Sequence, residues 1–193
     1  MKNNEIETTL VHEFLLCKQE FHAFYYYAAI LKIKPDEKKY RIEAFTRYGN
    51  FLRHLYSFYE GQIKHKNKEL IKGIPDNKLG EKISEIISNE VIKIIKRNQL
   101  IYSNNLALNK REIECFNDSE ISIDFGNNLR YIRNRFSHIS AKRVNKEDMT
   151  LSEFYNKYHK YVMLLFETAA FTWDMNENSI EEYDWLEIDN FMK

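Results

Sequence analysis

The sequence predicts an all-α protein, an antiparallel bundle of about five helices. Apolar residues recur at steps of three and four over several long stretches, which is the period of an amphipathic helix. The 193 residues include only five Gly and two Pro, too few for the many tight turns of a β-sandwich or β-barrel. Charged residues make up 30% and hydrophobic residues 44%, a balance typical of a folded globular domain.

The first two predicted helices are separated by Pro35 and should form an antiparallel hairpin. Helix one covers about residues 5–33, and helix two runs from about residue 36 to about residue 64. Asp36 and Glu37 suit the start of helix two because acidic groups complement the dipole there. The apolar faces are Leu10, Phe14, Cys17, Phe21, Phe24 and Ala28 in helix one, and Tyr40, Ile42, Phe45, Tyr48, Leu52, Leu55, Tyr59 and Ile63 in helix two.

Three more helices are predicted after a polar loop at about residues 64–78, which contains Gly73 and Pro75. Helix three is rich in Ile, but its apolar residues have a helical period rather than the alternation of a strand. Residues 103–118 fit either a short helix or a loop. The apolar stripe of helix three is Ile83, Ile86, Ile87, Val91, Ile94 and Ile95.

Helix four should begin after Ser119, a suitable N-cap, and the last helix should cover about residues 150–173, starting near Thr150. The predicted buried residues are Ile121, Phe125, Leu129, Ile132 and Phe136 in helix four, and Phe154, Tyr158, Val162, Leu165, Ala169 and Trp173 in the last helix.

Residues 174–193 differ in composition from the rest of the chain. Seven acidic residues against one Lys give this segment a net charge of −6, so residues 1–173 carry +6 because the whole chain is neutral. We therefore divide the chain into a helical domain, 1–173, and an acidic, aromatic C-terminal tail, 174–193. The tail is either a docking peptide or the solvated end of the last helix.

The sequence indicates a protein of the reducing cytoplasm that needs no metal or cofactor. Cys17 and Cys115 lie far apart without the paired spacing of a zinc site or a disulfide framework. His12, His22 and His159 have no carboxylate or Cys partner at metal-ligand spacing. Since no stretch resembles a signal peptide or a membrane span, we expect no membrane association.

The segment Arg133-Asn134-Arg135-Phe136-Ser137-His138 is the strongest functional signal. If helix four extends that far, Asn134 and His138 lie on one side of it, with Arg133 beside them. An Arg holds a phosphate through two parallel hydrogen bonds, and a His can take or give a proton near neutral pH. Together these groups predict a site for RNA cleavage.

The residues around this segment are basic. From Gly126 to Lys146 there are six basic residues and no acidic one, which should attract the phosphates of a nucleic acid. Besides Arg133, the predicted RNA-binding residues are Arg130, Arg135, Lys142, Arg143 and Lys146.

The segment resembles the signature of the HEPN superfamily, small helical domains common among toxins and antiviral nucleases. That signature is an Arg, four to six residues and a His; Arg133 and His138 enclose four, and Asn134 matches the polar residue that usually follows the Arg. Glu43 and Arg47 on helix two match a second recurring family feature and are candidate supporting residues. Arg47 and His54 also have the signature spacing, but Tyr48 follows that Arg.

The resemblance implies a HEPN-like fold and a metal-independent endoribonuclease of the toxin or abortive-infection type, acting in a homodimer with a composite site. In that reading His138 is the general base, Arg133 holds the scissile phosphate and Asn134 orients His138 or donates to the phosphate. The products would be a 2′,3′-cyclic phosphate and a 5′-OH end. A separate antitoxin or regulatory protein would control activity. Ser140 stands where some family toxins carry a modified Tyr, which argues against silencing by that route.

Two other readings of the same residues stay open. One is a non-catalytic helical module that binds nucleic acid or protein, and the other is a structural subunit whose Arg and His pair with a protein acid. The aromatic run 24–27, Phe-Tyr-Tyr-Tyr, favours a core or interface role over a base-stacking platform.

Overall fold

The computed structural model describes residues 2–103, 121, 123–137 and 149–173, and the regular elements in these ranges are all helical. They confirm the predicted all-α class with five α-helices. The elements are α1 (Lys2–Ile33), α2 (Lys38–His65), a short 3-10 helix (Lys68–Ile71), α3 (Asp76–Ser103), α4 (Ile123–Ser137) and α5 (Leu151–Trp173).

These helices form two units. The first contains α1 and α2, together with the last turn of α5 from Ala170, and the second extends from Glu69 to Ala169. The predicted boundary at residue 174 stays a prediction, because the tail 174–193 lies outside the described residues, as do most of the ambiguous segment 103–118 and the predicted N-cap Ser119. No described helix has the length and apolar character needed to cross a membrane.

Helices α1 and α2 pack as the predicted antiparallel hairpin. Three of the aromatic ring pairs that join them have centroids about 5 Å apart. Successive residues of α1 pair with residues progressively earlier in α2, as in an antiparallel hairpin. Ring pairs of this kind add roughly 0.5–1.5 kcal/mol each beyond the burial of their surface. The pairs are Phe14 with Phe58 at 5.2 Å, Phe21 with Phe51 at 5.2 Å, and Phe24 with Tyr48 at 4.7 Å.

Pro35 ends α1, because it lacks the N–H that would continue the helix and disfavours helical backbone just before it. The Arg41 side chain of α2 then closes the turn: its Nε donates to the Pro35 carbonyl at 2.7 Å and its Nη2 pairs with Asp36 at 3.2 Å. Glu37 occupies the N-cap position of α2, but its side chain makes no capping hydrogen bond. It lies 3.7 Å from Lys34 instead.

His54 of α2 is part of the hairpin interior. It is 7% exposed, its Nδ1 lies 2.9 Å from a Glu13 oxygen, and its Nε2 lies 2.7 Å from Arg53 Nη2. Because Arg53 can only donate a hydrogen bond, Nε2 accepts that bond, and the Nδ1–H group donates to Glu13. Burial, with the nearby Glu13 charge, raises the pKa of the Cys17 thiol well above its ordinary value.

Small residues allow α3 and α4 to approach closely. Gly80, Ser84 and Ser88 follow one another at steps of four on α3, and Gly126 of α4 lies against the Ser84 carbonyl, where a Cβ would collide. The Gly126 N–H donates to Ser88 Oγ at 3.0 Å. This packing was not predicted, because sequence periodicity highlights large apolar residues rather than the small ones between them.

Apolar residues predicted for α4 and α5 form the core of the second unit. The Phe125 ring packs against three aromatic rings of α5, and the predicted stripe of α4 is at most 9% exposed throughout. Helix α5 begins where expected, because Thr150 and Glu153 form a capping box: the Glu153 N–H donates to Thr150 Oγ1 at 3.1 Å and the Thr150 N–H to Glu153 Oε2 at 2.7 Å.

His159 on α5 should make folding stability depend on pH. Its ring stacks on Tyr155 at 4.4 Å, and burial lowers its pKa. As the pH falls below about 6.5, the ordinary pKa of His, the unfolded chain therefore takes up this proton before the folded chain does, and the free energy of unfolding decreases. Urea unfolding between about pH 7 and pH 5 should show this decrease in the wild type and a smaller one in His159→Gln, by up to about 1.4 kcal/mol per pH unit.

The exposed His12 provides the matched control. His12→Gln, at an exposed position, controls for the replacement of a histidine as such. Equal pH slopes for the wild type and His159→Gln would contradict the assignment to His159.

Candidate active site at the end of helix α4

Arg133 and Asn134 of α4 lie outside the buried stripe, as predicted. Leu129 and Ile132 are fully buried, whereas Arg133 is half-buried and Asn134 is exposed. Since Arg133 and Asn134 lie off the buried stripe, both side chains are available to a ligand without disturbing the core.

Arg133 and Asn134 contact each other directly. The Arg133 Nη1 donates to Asn134 Oδ1 at 3.0 Å, and Ser137 Oγ donates to the Arg133 carbonyl at 2.9 Å, within the last turn of the helix. The amide oxygen of Asn134 thus orients the guanidinium, and the Asn134 amide N–H₂ group remains the side of that amide that can donate to a ligand.

His138 directly follows Ser137, the last residue of α4, but lies outside the described residues. The same is true of Lys142, Arg143 and Lys146. The structure therefore brings together two of the three predicted catalytic residues, Arg133 and Asn134. The roles of His138 and of these three basic residues stay predictions.

Arg135 has a structural environment that its sequence context did not indicate. It is 7% exposed, its Nη1 donates to the Met149 carbonyl at 3.0 Å, and its guanidinium lies 5.5 Å from the centre of the Tyr131 ring. Position 135 follows Ile132 by three residues, which places it towards the buried side of the helix. Arg135 links the end of α4 to the start of α5, which gives it a packing role, and its role in RNA binding stays a prediction.

Arg130 is half-buried and its guanidinium lies against Gly80 of α3, in the space that a Cβ at that position would occupy. The absence of a side chain at Gly80 thus accommodates Arg130. Of the predicted basic residues in α4, Arg133 therefore has the position best suited to a ligand, with Arg130 partly engaged in helix packing.

The predicted supporting pair, Glu43 and Arg47, does form an ion pair, with Arg47 Nε 3.4 Å from Glu43 Oε2. Arg47 also has a second partner that the sequence analysis did not predict, because its Nη1 lies 3.2 Å from a carboxylate oxygen of Glu20 in α1. The Glu20 charge is the main cause that raises the Arg47 pKa, with Glu43 adding to it. Arg47 therefore links α1 to α2, and the supporting role of the pair in catalysis stays a prediction.

Within residues 2–103, 121, 123–137 and 149–173, no group of three or more His, Cys, Asp and Glu side chains is arranged to hold a metal ion. Comparison with protein-family models, with curated proteins and with solved structures finds no match. Any functional assignment must therefore come from the side chains of this chain, and those at the end of α4 offer the most specific chemistry.

Proposed function

We propose that this protein is a metal-independent endoribonuclease of the HEPN toxin or antiviral type, with a catalytic site built on Arg133, Asn134 and His138. The observation that supports it best is the Arg133–Asn134 pair, hydrogen-bonded at 3.0 Å on the outward side of the last turn of α4. This turn ends at Ser137, so the chain continues directly into His138.

The proposed reaction is an intramolecular attack within the RNA. His138 withdraws the proton from a ribose 2′-OH, the 2′-oxygen attacks the adjacent phosphorus, and the bond from phosphorus to the 5′-oxygen breaks. A second His138, from the other copy in a homodimer, returns a proton to the departing 5′-oxygen. The products are a 2′,3′-cyclic phosphate and a 5′-OH end, and general acid–base catalysis contributes about 10² to 10⁴-fold.

Arg133 stabilises the charge that develops on the phosphate oxygens, because a guanidinium presents two parallel donors to them. Its hydrogen bond to Asn134 fixes its direction before the substrate binds, which lowers the cost of ordering the side chain. The Asn134 amide N–H₂ group donates to a phosphate oxygen.

Control of this activity is part of the proposal. We propose a cytoplasmic protein that is held inactive by a separate antitoxin or regulatory protein, or by its own tail 174–193, whose net charge of −6 complements the basic residues of the site.

RNA cleavage by the purified protein should persist in EDTA, because the proposed chemistry needs only side chains. A labelled oligoribonucleotide should yield a product with a 2′,3′-cyclic phosphate, and the same oligonucleotide with a single 2′-deoxy substitution should resist cleavage at that position. Light scattering at the assay concentration should give the mass of two chains.

Other outcomes separate the rival readings. Cleavage that EDTA abolishes and Mg²⁺ restores would contradict the mechanism, and a monomer would contradict the composite site. Salt-dependent RNA binding without cleavage would favour the binding module. Absence of both would favour the structural subunit.

A further inference from the structure

Helix α1 has a second face, distinct from the face that contacts α2, and most of its residues are exposed to solvent. Lys18, His22, Tyr25, Ala29 and Lys32 follow one another at steps of four, three, four and three, and Tyr26 and Ile33 lie beside them. Such steps place residues on one side of a helix. We call these seven residues the outer face of α1. Six of them are exposed, and Lys18 is half-buried.

The two tyrosines of the outer face are unusually exposed for aromatic residues in a folded helix. Tyr25 is 66% and Tyr26 62% exposed, whereas Phe24 beside them is 9% exposed. Both rings have aromatic neighbours: Tyr25 lies 6.1 Å from Phe21, and Tyr26 lies 5.2 Å from Tyr27. The run 24–27 thus divides between core and surface, whereas its sequence favoured a core or interface role over base stacking.

Charge distinguishes this face from an ordinary apolar patch. Glu20 is the one carboxylate among residues 18–33, and it lies 3.2 Å from Arg47 of α2. The outer face itself therefore contains two Lys and one His and no acidic residue.

The adjoining turn adds to this positive charge. Its acidic residues, Asp36 and Glu37, pair with Arg41 and Lys34. Lys38 and Lys39 are exposed nearby at the start of α2. The exposed Tyr25 and Tyr26 therefore share a helix face with Lys18, His22 and Lys32, and further cations follow in the adjoining turn.

This combination indicates a nucleic-acid partner rather than a protein partner. Protein interfaces are enriched in Tyr but depleted of Lys. Proteins that bind single strands combine aromatic rings, on which unpaired bases stack, with cations that follow the phosphates. From Lys18 to Lys32 the face extends about 21 Å along the helix axis, enough for several nucleotides.

We infer that the outer face of α1 binds single-stranded nucleic acid, with bases stacked on Tyr25 and Tyr26 and phosphates held by Lys32 and its basic neighbours. This binding site uses residues other than those of the proposed catalytic site and does not depend on the proposed cleavage chemistry. Since stacking tolerates any base, the site should bind unpaired RNA or DNA with little sequence preference.

The test uses a probe that the proposed nuclease chemistry cannot cleave. Fluorescein-labelled dT15 has no 2′-OH, so its binding to the full chain can be followed by anisotropy whether or not the protein cleaves RNA. Tyr25→Ala and Tyr26→Ala should each raise Kd at least about fivefold, the effect of losing one stacked base. The double Tyr→Phe variant should keep Kd within about twofold, because Phe retains the ring.

Phe171→Ala is the matched control, since Phe171 is 77% exposed on a helix and has an acidic residue, Glu167, one turn before it. It should not change Kd, and a 15-base-pair duplex should bind the wild type more weakly than dT15. The inference is overturned if the wild type does not bind dT15, if the Tyr→Ala variants bind it unchanged, or if the duplex binds equally well. Sedimentation of these variants gives a further check. If they lose binding because a dimer has dissociated, the face is a protein interface and the inference is overturned.

Discussion

Replacing His138 or Arg133 by Ala should abolish RNA cleavage while leaving the helix content and thermal unfolding of the protein nearly unchanged. Losing the proton acceptor should reduce the cleavage rate by about 10² to 10⁴-fold, and losing a donor to the transition-state charge by about 10² to 10³-fold. Arg133 lies beside the buried stripe rather than in it, so its truncation should open no core cavity. Rates come from gel assays with a labelled RNA, and stability from circular dichroism.

The two variants should differ in RNA binding. Arg133→Ala should weaken it more than His138→Ala, because Arg133 holds the phosphate in the bound state as well as in the transition state. If His138→Ala cleaves RNA as fast as the wild type, the nuclease assignment to this motif is wrong.

Helix α3 supplies a matched control for Arg133. Arg97 is exposed and, like Arg133, is followed by an Asn, Asn98, but no His follows it after four to six intervening residues. Arg97→Ala should therefore keep full cleavage, and the exposed His12 gives the corresponding control for His138. His54 fits the same loose spacing with Arg47, yet its bonds to Glu13 and Arg53 make it unsuitable, since its loss would disturb the hairpin.

Replacing Gly126 by Ala should destabilise the protein strongly, although Ala is normally the better helix former. A Cβ at this position would collide with the Ser84 carbonyl, a backbone group that can move only if α3 and α4 separate. Overpacking of this kind costs about 3 kcal/mol, and the helix-propensity gain of Gly→Ala offsets at most about 1 kcal/mol of it. We expect a net loss of about 2 kcal/mol in the free energy of unfolding, measured by urea denaturation.

Gly61→Ala in α2 separates this effect from a general intolerance of Gly replacement. Its Cβ would lie 2.8 Å from Leu10 Cδ2, the end of a flexible side chain that can rotate away. Its stability should stay within about 1 kcal/mol of the wild type. Equal stabilities for Gly126→Ala and the wild type would show that α3 and α4 do not pack this closely.

The helices themselves were predictable from the sequence, because a helical period depends on residues three and four apart in the chain. The buried stripe of α4, the end of α1 at Pro35 and the start of α5 at Thr150 all follow from such local patterns. The location of Arg133 and Asn134 outside the buried stripe follows from the same pattern, because the polar residues of an amphipathic helix lie away from its apolar face.

Tertiary structure decided which polar residues serve packing and which face solvent. Arg135 belongs to the same basic stretch as Arg133, yet it is bound to the Met149 carbonyl, 14 residues away. Arg47 pairs with Glu20, 27 residues away, as well as with Glu43. Such partners come together only when helices pack, so residues of one type within one segment had different roles that local spacing did not distinguish.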